Sequence, residues 1–364
     1  MSSILLRNFR QHNRLVRQTF VNWQKVNYYS SDSNGDKQDS KKIVKKEPME
    51  VQKKSSRENI KSYFFVRFFN YIQNYDKVLE KKFPSAMHIY RVFSIGVKEF
   101  FNDTKMFFKI NSIVNKQGLK SLTRKEMELF NQMPKDMMKV SPVLLISALP
   151  FANYVIFPLA YMYPRTFLTS HFWSLQQRAE FQQLYIKERT AYNKKIFRKL
   201  QQNLNATVLL PCHNEFNYVL GLLGSGTHPT ADDIIKIKDI FKNSPYKLDS
   251  LTSSHLTYLC KLHGIHSLYL KRVRLAEHFY AMQTMDQAIK SEGDVHNLPI
   301  DALRKSCYLR GLNPINLPNH EMIRWLREYL KVSQEISTDC ISLYLHLPIL
   351  LTYNHPNNWR LTHK

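Results

Sequence analysis

The sequence predicts an all-α protein with a single kinked transmembrane helix followed by a soluble helical domain, and three patterns support this prediction. Apolar residues recur three and four positions apart over most of the chain, which is the spacing of amphipathic helices. No credible run of alternating apolar and polar residues predicts a β-strand. Residues 140–164 contain no charged side chain and are long enough to cross a bilayer as a helix.

Composition narrows the function to a binding or membrane role. The chain has 364 residues and a net charge of +24, which favours an anionic partner such as lipid head groups or RNA. Its four cysteines include no Cys-x-x-Cys pair, which indicates a reducing compartment. The chain contains no glycine-rich nucleotide motif, His-Glu-x-x-His or Gly-x-Ser-x-Gly. We therefore expect neither an enzyme nor a cofactor, and no small-molecule substrate.

The first 58 residues are predicted to contain a targeting sequence and a linker rather than a folded domain. Residues 1–30 contain no acidic side chain, and their arginines fall on one face of a helix. This pattern predicts a mitochondrial presequence, or alternatively an amphipathic helix retained on a membrane surface. Residues 31–58 are polar and rich in lysine, so we expect a disordered basic linker. The calcium-loop resemblance beginning at Asp32 lacks the required glycine and the closing glutamate, so no calcium site is expected.

Residues 59–139 are predicted to form amphipathic helices that pack on one another or on the membrane interface. They are crowded with aromatic residues at helical spacing, but no run is apolar enough for a second span. Thr123 and Glu126 form a capping-box pattern, which predicts a helix that starts there and leads into the apolar segment.

The apolar segment 140–164 is punctuated by prolines. Pro142 and Pro164 lie near its ends, whereas Pro150 and Pro158 lie inside and are predicted to kink a membrane-spanning helix. A buried hairpin is the alternative. Because no ionisable side chain lies within the segment, it favours an anchor over a self-contained transport path.

Residues 165–335 are predicted to form a helical domain, and residues 336–364 a C-terminal tail. Single helices are expected over 171–200, 230–241 and 268–291, and a pair over 298–330 with Gly311 as a helix-ending residue. Cys260, His263 and His266 have a three-residue spacing, but no fourth ligand is available and no metal site is expected.

Basic side chains in this domain are the candidates for binding an anionic partner. They form three groups. The first is predicted to end a helix, where cations also suit the helix dipole, and consists of Lys194, Lys195, Arg198 and Lys199. The second is predicted to start a helix, where cations oppose the dipole, and consists of Lys271, Arg272 and Arg274. The third lies between the two apolar ridges of the helix pair and consists of Arg304, Lys305, Arg310, Arg324 and Arg327.

Several of these segments resemble the LETM-domain family, the leucine zipper–EF-hand transmembrane proteins of the mitochondrial inner membrane. The resemblance lies in "LTRKE", "KDMMKVSP", "LPIDALRKSCYLRGL" and "MIRWLREYL", while "HFWSLQQ" and the short C-terminus resemble the shorter branch without an EF-hand. It implies one inner-membrane span and a matrix-side helical domain that binds the mitochondrial ribosome. Because the chain has no EF-hand or long C-terminal coiled coil, calcium sensing is not expected.

Three functional hypotheses follow. The first is an anchored protein whose partners are inner-membrane lipids and the mitochondrial ribosome, and which supports mitochondrial organisation and respiratory function. The second is a homo-oligomeric potassium or calcium/proton exchanger that contributes to ion homeostasis. The third treats residues 298–330 as a helix-turn-helix DNA-binding module, which the presequence and the span argue against.

Overall fold

The computed structural model describes residues 84–147 and 153–362, and all regular structure within these ranges is helical. The all-α prediction is confirmed. The predictions of a presequence over 1–30 and a linker over 31–58 lie outside the described residues, as does the predicted kink at Pro150. Residues 85–364 form one compact unit.

The described α-helices are numbered in chain order. Short 3-10 turns connect several of them. The bounds are α1 Pro84–Gln117, α2 Arg124–Ser147, α3 Asn153–Met162, α4 Pro164–Phe167, α5 Leu175–Thr190, α6 Asn193–Gln202, α7 His213–Gly224, α8 Ala231–Lys236, α9 Ser253–Leu262, α10 Lys271–Ser291, α11 Ile300–Leu309, α12 Asn319–Glu335, α13 Ile341–Thr352 and α14 Pro356–Thr362.

Helix ends follow the local sequence signals. The Thr123 backbone N–H donates to Glu126 Oε2 (3.0 Å), and the Glu126 N–H lies 3.4 Å from Thr123 Oγ1, so the predicted capping box opens α2. At the end of α11, Gly311 adopts φ +94° and Leu312 donates its N–H to the Cys307 carbonyl (3.1 Å). These bonds are those of a Schellman cap, and they confirm the predicted role of Gly311.

One helix expected from the sequence is two in the structure. The region 171–200 divides into α5 and α6, with a break at Ala191 and Tyr192. The break redirects the chain so that Ile196 and Leu200, both fully buried, face the core. Periodicity over the whole region did not reveal this change of direction.

The main core surrounds α13. Every residue of this helix is buried, and it packs against α6, α10 and α12. The segment 336–364, which the sequence analysis placed outside the helical domain as a tail, therefore supplies a central helix of its core, α13. The physical reason is that α13 is apolar on all sides, and such a helix is stable only when it is surrounded by other elements.

Two smaller cores complete the fold. Leu303, Cys307 and Leu326 lie in a cluster between α11 and α12, as the predicted ridges require. A third cluster joins α1, α2 and α3 to the turn before α5, with Phe100, Met133 and Trp173 at its centre.

Most described residues of segment 140–164 belong to α2 and α3, which pack against each other. Pro158 lies within α3. Among the described residues, no helix has both the length and the apolar character needed to cross a bilayer. One face of the pair is buried, including Val143 and Ala160, but Leu145 and Tyr161 are exposed.

Helices α2 and α10 pack side by side and run in opposite directions. The first N–H of α2, at Arg124, donates to Glu292 Oε1 just beyond the end of α10 (2.6 Å). Further along α2, Lys135 is near enough to His278 of α10 to contribute, after burial and His263, to lowering the pKa of that histidine. We call the end at which α2 stops and α10 starts the proximal end, and the opposite end the distal end.

Candidate binding surfaces

Four exposed basic residues lie towards the distal end on α11 and α12, and we call them the distal basic surface. Lys305 Nζ lies 2.9 Å from Glu128 Oε2 on α2, and Arg327 Nε lies 3.8 Å from Asp294 Oδ2 beyond the end of α10. These two ion pairs locate Lys305 and Arg327; Arg304 is the neighbour of Lys305 on α11, and Arg324 lies one turn before Arg327 on α12. The members of the surface are Arg304, Lys305, Arg324 and Arg327.

Arg304 and Arg324 are the residues of this surface whose charge remains most available. Both side chains are exposed, and neither makes an ion pair with another residue in the described ranges. Lys305 and Arg327 share their charge with acidic neighbours, so they contribute less to the local positive potential.

A second surface, the proximal basic surface, is continuous across α9. Lys195 of α6 lies over the rings of Tyr192 and Tyr258, with Nζ 5.1 and 5.6 Å from the ring centroids. Lys271 of α10 donates to the hydroxyl of Thr257, the residue beside Tyr258 (2.8 Å). The structure thus brings together two groups that are far apart in sequence, namely Lys194, Lys195, Arg198 and Lys199 with Lys271, Arg272 and Arg274.

The cations at the start of α10 have structural bonds but keep their charge. Arg272 donates to the carbonyls of Leu248 (3.3 Å) and Leu251 (2.9 Å). Arg274 donates to the carbonyl of His266 (3.2 Å). These acceptors are neutral, so the bonds orient the side chains without cancelling the positive charge.

Arg310 is the exception among the twelve candidates, and its assignment to a binding surface is wrong. Its side chain is 2 % exposed and lies inside the fold, where Nε donates to Asp286 Oδ1 (3.0 Å) and a second ion-pair contact joins the same two groups. Burial lowers the pKa of Arg310, but Asp286 together with the nearby Tyr344 and Tyr329 outweighs burial and holds the pKa above its usual range. The guanidinium is therefore not available to an external partner.

Asp286 is the centre of a buried polar network that joins four helical elements. Besides Arg310, it accepts hydrogen bonds from the hydroxyls of Tyr344 on α13 (2.7 Å) and Ser333 on α12. A buried carboxylate is tolerated because all these donors satisfy it. The network holds α10, α12, α13 and the end of α11 in one arrangement.

Arg189, which the sequence analysis missed, closes two helix ends at once. Its Nε donates to the carbonyl of Leu262 at the end of α9 (2.6 Å). Its other nitrogens donate to Tyr308 and Leu309 at the end of α11, both at 3.1 Å. The last carbonyls of a helix have no partner within the helix and carry the negative end of its dipole. No local sequence signal marks this role, because the three carbonyls are distant in the chain.

Buried histidines line α13. His346 Nδ1 lies 2.6 Å from the Ser342 carbonyl, so it must donate, and His346 Nε2 then accepts from His255 Nε2 (2.9 Å). By the same logic, His263 Nε2 donates to the Leu345 carbonyl (2.9 Å) while its Nδ1 accepts from His278 (3.1 Å).

This pattern of donors and acceptors describes neutral rings, and burial favours the same state. Burial lowers the pKa of His255 to about 2, that of His263 to about 3 and that of His346 to about 4. Burial also lowers the pKa of His278 well below its usual value.

Metal-ligand geometry is not found in the part of the chain that the structure describes, where no three His, Cys, Asp or Glu side chains come together. Cys260 is buried in the main core, whereas His266 is exposed and bonds to Arg274. The three-residue spacing of Cys260, His263 and His266 therefore does not translate into a common site.

Comparison with known proteins identifies the family. A family sequence model described as "LETM1-like, RBD" matches residues 122–350, which is more than half of the chain. The chain belongs to this family. The LETM1-like region begins immediately before the capping box of α2 and ends inside α13, so it contains most of the main core and both basic surfaces.

Two of three relatives of this LETM1-like chain are similar over most of their own length, and the third over a small part of it. LETM1 domain-containing protein 1 of Xenopus tropicalis is 31% identical over 78% of this chain and 82% of that protein. The Homo sapiens protein of the same name is 28% identical over 84% of this chain and 86% of its own length. The mitochondrial proton/calcium exchanger protein of Drosophila melanogaster is 25% identical over 59% of this chain but only 21% of that protein.

Proposed function

We propose that this chain is a mitochondrial inner-membrane protein whose helical domain, on the matrix side, binds the mitochondrial ribosome. In this role it would support inner-membrane organisation and respiratory function. The observation that carries the proposal is the distal basic surface, which lies at the end of the domain opposite to the exposed apolar residues of α2 and α3. A domain with these two ends can face a membrane with one and an anionic particle with the other.

Membership of a family described as "LETM1-like, RBD" supports the ribosome as the anionic partner. Ribosomal RNA presents closely spaced phosphates, and exposed arginines without internal ion pairs are suited to contact them. Arg304 and Arg324 meet this description best, because their guanidinium groups are exposed and have no acidic partner among the described residues.

The test is co-sedimentation of the full chain with purified mitochondrial ribosomes over a series of salt concentrations. The double variant Arg304→Glu, Arg324→Glu should bind at least about tenfold more weakly, and its salt slope should fall by about 1.5, because about two phosphate contacts are lost. Absence of binding by the unaltered chain at low salt would sink the proposal.

A matched control is available on the proximal basic surface. Lys194→Glu, Arg198→Glu makes the same change in charge on exposed side chains of α6. This variant should keep its ribosome affinity within about threefold of the unaltered chain, because long-range charge effects are screened at physiological salt. Equal losses in both double variants would show that net charge, rather than the distal surface, determines binding.

The membrane anchor in this proposal is segment 140–164, as a span kinked at Pro150 and Pro158. A span requires α3 to leave its packing on α2 and to continue in the same direction, which exposes Val143 and Ala160 to lipid instead of to protein. Protease treatment of mitoplasts tests the arrangement: a C-terminal tag should be protected until the inner membrane is dissolved. Digestion of the tag in intact mitoplasts would place the domain on the other side.

A second candidate function is an oligomeric potassium or calcium/proton exchanger. It is favoured by the relative named mitochondrial proton/calcium exchanger protein, to which 59% of this chain is similar. In this case Pro150→Ala, Pro158→Ala should abolish cation flux in proteoliposomes under a pH gradient. Reconstituted protein that moves no cation would remove this candidate.

A further inference from the structure

The loop before α10 exposes three consecutive large side chains. Leu268, Tyr269 and Leu270 are 66%, 74% and 70% exposed. Cations of the proximal basic surface surround them, together with exposed Lys261. Within the described ranges, none of these cations has an acidic partner: Lys261, Lys271, Arg272 and Arg274.

We propose that this loop docks on an anionic phospholipid bilayer, so that the helical domain lies against the membrane in which the chain is anchored. The leucines and the tyrosine enter the interface between head groups and acyl chains, and the surrounding cations contact lipid phosphates. The inference rests on the proposed membrane anchoring, but it does not depend on the proposed ribosome contact.

The loop is held in place rather than left free. Leu270 has φ 52°, a left-handed conformation that residues other than glycine and asparagine rarely adopt. The bonds of Arg272 to Leu248 and Leu251, and of Arg274 to His266, fix the chain on both sides of it. The three side chains are thus presented to solvent by a rigid base, which suits shallow insertion into an interface.

The position of the loop agrees with a membrane partner. Lys135 of α2 lies near His278 of α10, and α10 extends about 10 Å from there to its first residue. From Lys135, α2 runs towards the same end of the domain, and over a similar length it passes its exposed apolar residues, among them Met138 and Leu145. The loop and the apolar end of α2 therefore both lie at the proximal end of the domain.

The chemistry of the tip favours lipid over RNA. Two leucines gain free energy from leaving water for an acyl environment, whereas an RNA surface offers them mainly charged phosphates and sugars. Tyrosine is enriched at bilayer interfaces because its ring is apolar and its hydroxyl reaches water. Arginine and lysine beside such residues are attracted to anionic head groups.

The experiment places one spin label at a time in the full chain, reconstituted in vesicles that contain anionic phosphatidylglycerol. Cys212→Ser removes the only native thiol that is not buried among the four cysteines. Labels are introduced by Tyr269→Cys in the loop, Leu145→Cys in the proposed anchor and Leu209→Cys as a control, since Leu209 is 97% exposed in a different loop. Collisions with oxygen report lipid, and collisions with a water-soluble nickel complex report water.

We expect the labels at 145 and 269 to collide mainly with oxygen, and the label at 209 to collide mainly with nickel. Adding Leu268→Glu to the 269-labelled chain should lower its ratio of oxygen to nickel collisions to the ratio found at position 209. Replacing the anionic lipid by phosphatidylcholine should have the same effect. Leu209→Glu is the matched substitution and should leave the ratio at 269 unchanged; circular dichroism checks that both variants keep their helices.

The possible failures are distinguishable. If 145 reports lipid but 269 reports water, the docking inference is overturned and the anchor stands. If both report water, the anchor and the inference fail together, and ribosome binding is still judged by co-sedimentation. If 269 reports water in vesicles but becomes immobilised when mitochondrial ribosomes are added, the loop is a ribosome contact and the lipid assignment is overturned.

Discussion

Segment 140–164 and residues 341–352 are both rich in aliphatic side chains and both contain proline, but many described side chains of the first are exposed, whereas every residue of the second is buried. In the first segment, Leu145 and Tyr161 are 70% and 62% exposed. In the second, which is α13, every residue is buried. The difference shows that apolar content alone does not determine whether a segment enters the protein core.

Polar groups distinguish the two segments. In α13, Tyr344 donates to Asp286, and His346 bonds to both Ser342 and His255. Such bonds can form only in a matching protein interior, because a buried polar group without a partner is costly. Segment 140–164 has no charged side chain that needs such a partner, so lipid can replace protein around it.

Acidification is expected to cause the largest change in the free energy of unfolding, through the buried histidines that lie on α13 or pack against it. The unfolded chain takes up protons near pH 6.5, whereas burial holds the pKa of His255, His263 and His346 at about 2, 3 and 4. The free energy of unfolding should therefore decrease as the pH falls below about 6.5, by about 1.4 kcal/mol per pH unit for each histidine that remains neutral.

Urea unfolding of the full chain, monitored by circular dichroism over this range of pH, measures the slope. His296 is exposed, so His296→Gln should leave the slope unchanged. Stability that stays constant from about pH 7 to about pH 5 would contradict the assignment of neutral buried histidines.

The second largest change in the free energy of unfolding is expected from breaking the polar network around Asp286. Arg310→Leu leaves Asp286 buried without its cation and should lower the free energy of unfolding by about 3–5 kcal/mol. In a double-mutant cycle, adding Asp286→Leu should cost less than its single effect, because the unpaired charge is removed as well. Strict additivity of the two substitutions would argue that the pair does not act as a unit.

A matched pair of leucines compares the two apolar segments directly. Leu347 is fully buried in α13, so Leu347→Ala should cost about 2–5 kcal/mol of unfolding free energy. Leu145 is exposed at the end of α2, so Leu145→Ala should change it by no more than about 0.5 kcal/mol. Both are read from denaturant unfolding in detergent; a comparable loss in both would mean that Leu145 is packed in solution.

A pair of glycines gives the smallest expected effects. A Cβ at Gly311 would lie 3.1 Å from Pro348 Cβ of α13, and the positive φ adds strain, so Gly311→Ala should cost about 1–2 kcal/mol. At Gly221, within α7, a Cβ meets no atom within 4 Å, and Gly221→Ala should stabilise the protein by about 0.5–1 kcal/mol. Thermal unfolding should move in opposite directions for the two variants.

Signals contained in a few neighbouring residues predicted the structure well. Thr123 and Glu126 opened α2 as expected. The helix expected over 230–241 does begin there, behind a capping box of Thr230 and Asp233, but as an α-helix it ends at Lys236. Gly311 ended α11 for a reason visible in the sequence, namely that a Schellman cap requires a positive φ. The ridges of the α11–α12 pair also followed from spacing alone.

Features that depend on distant residues could not be predicted in this way. The burial of Arg310 depends on Asp286, which lies 24 positions earlier, and the role of Arg189 depends on carbonyls more than 70 positions later. The sequence of α13 is apolar and carries no helix-face pattern, so periodicity gave no reason to place it in the centre. Residues 268–270 were predicted to be the first residues of a helix, but α10 begins only at Lys271 and these three side chains are exposed in the preceding loop.

The central position of α13 has a consequence for how the chain matures. Among the described helices, only α14 follows α13 along the chain, yet α6, α10 and α12 pack around it. The earlier helices therefore have no complete core to close on until residues 341–352 have been synthesised. We expect the chain to stay loosely folded up to that point, because the main core lacks its central helix.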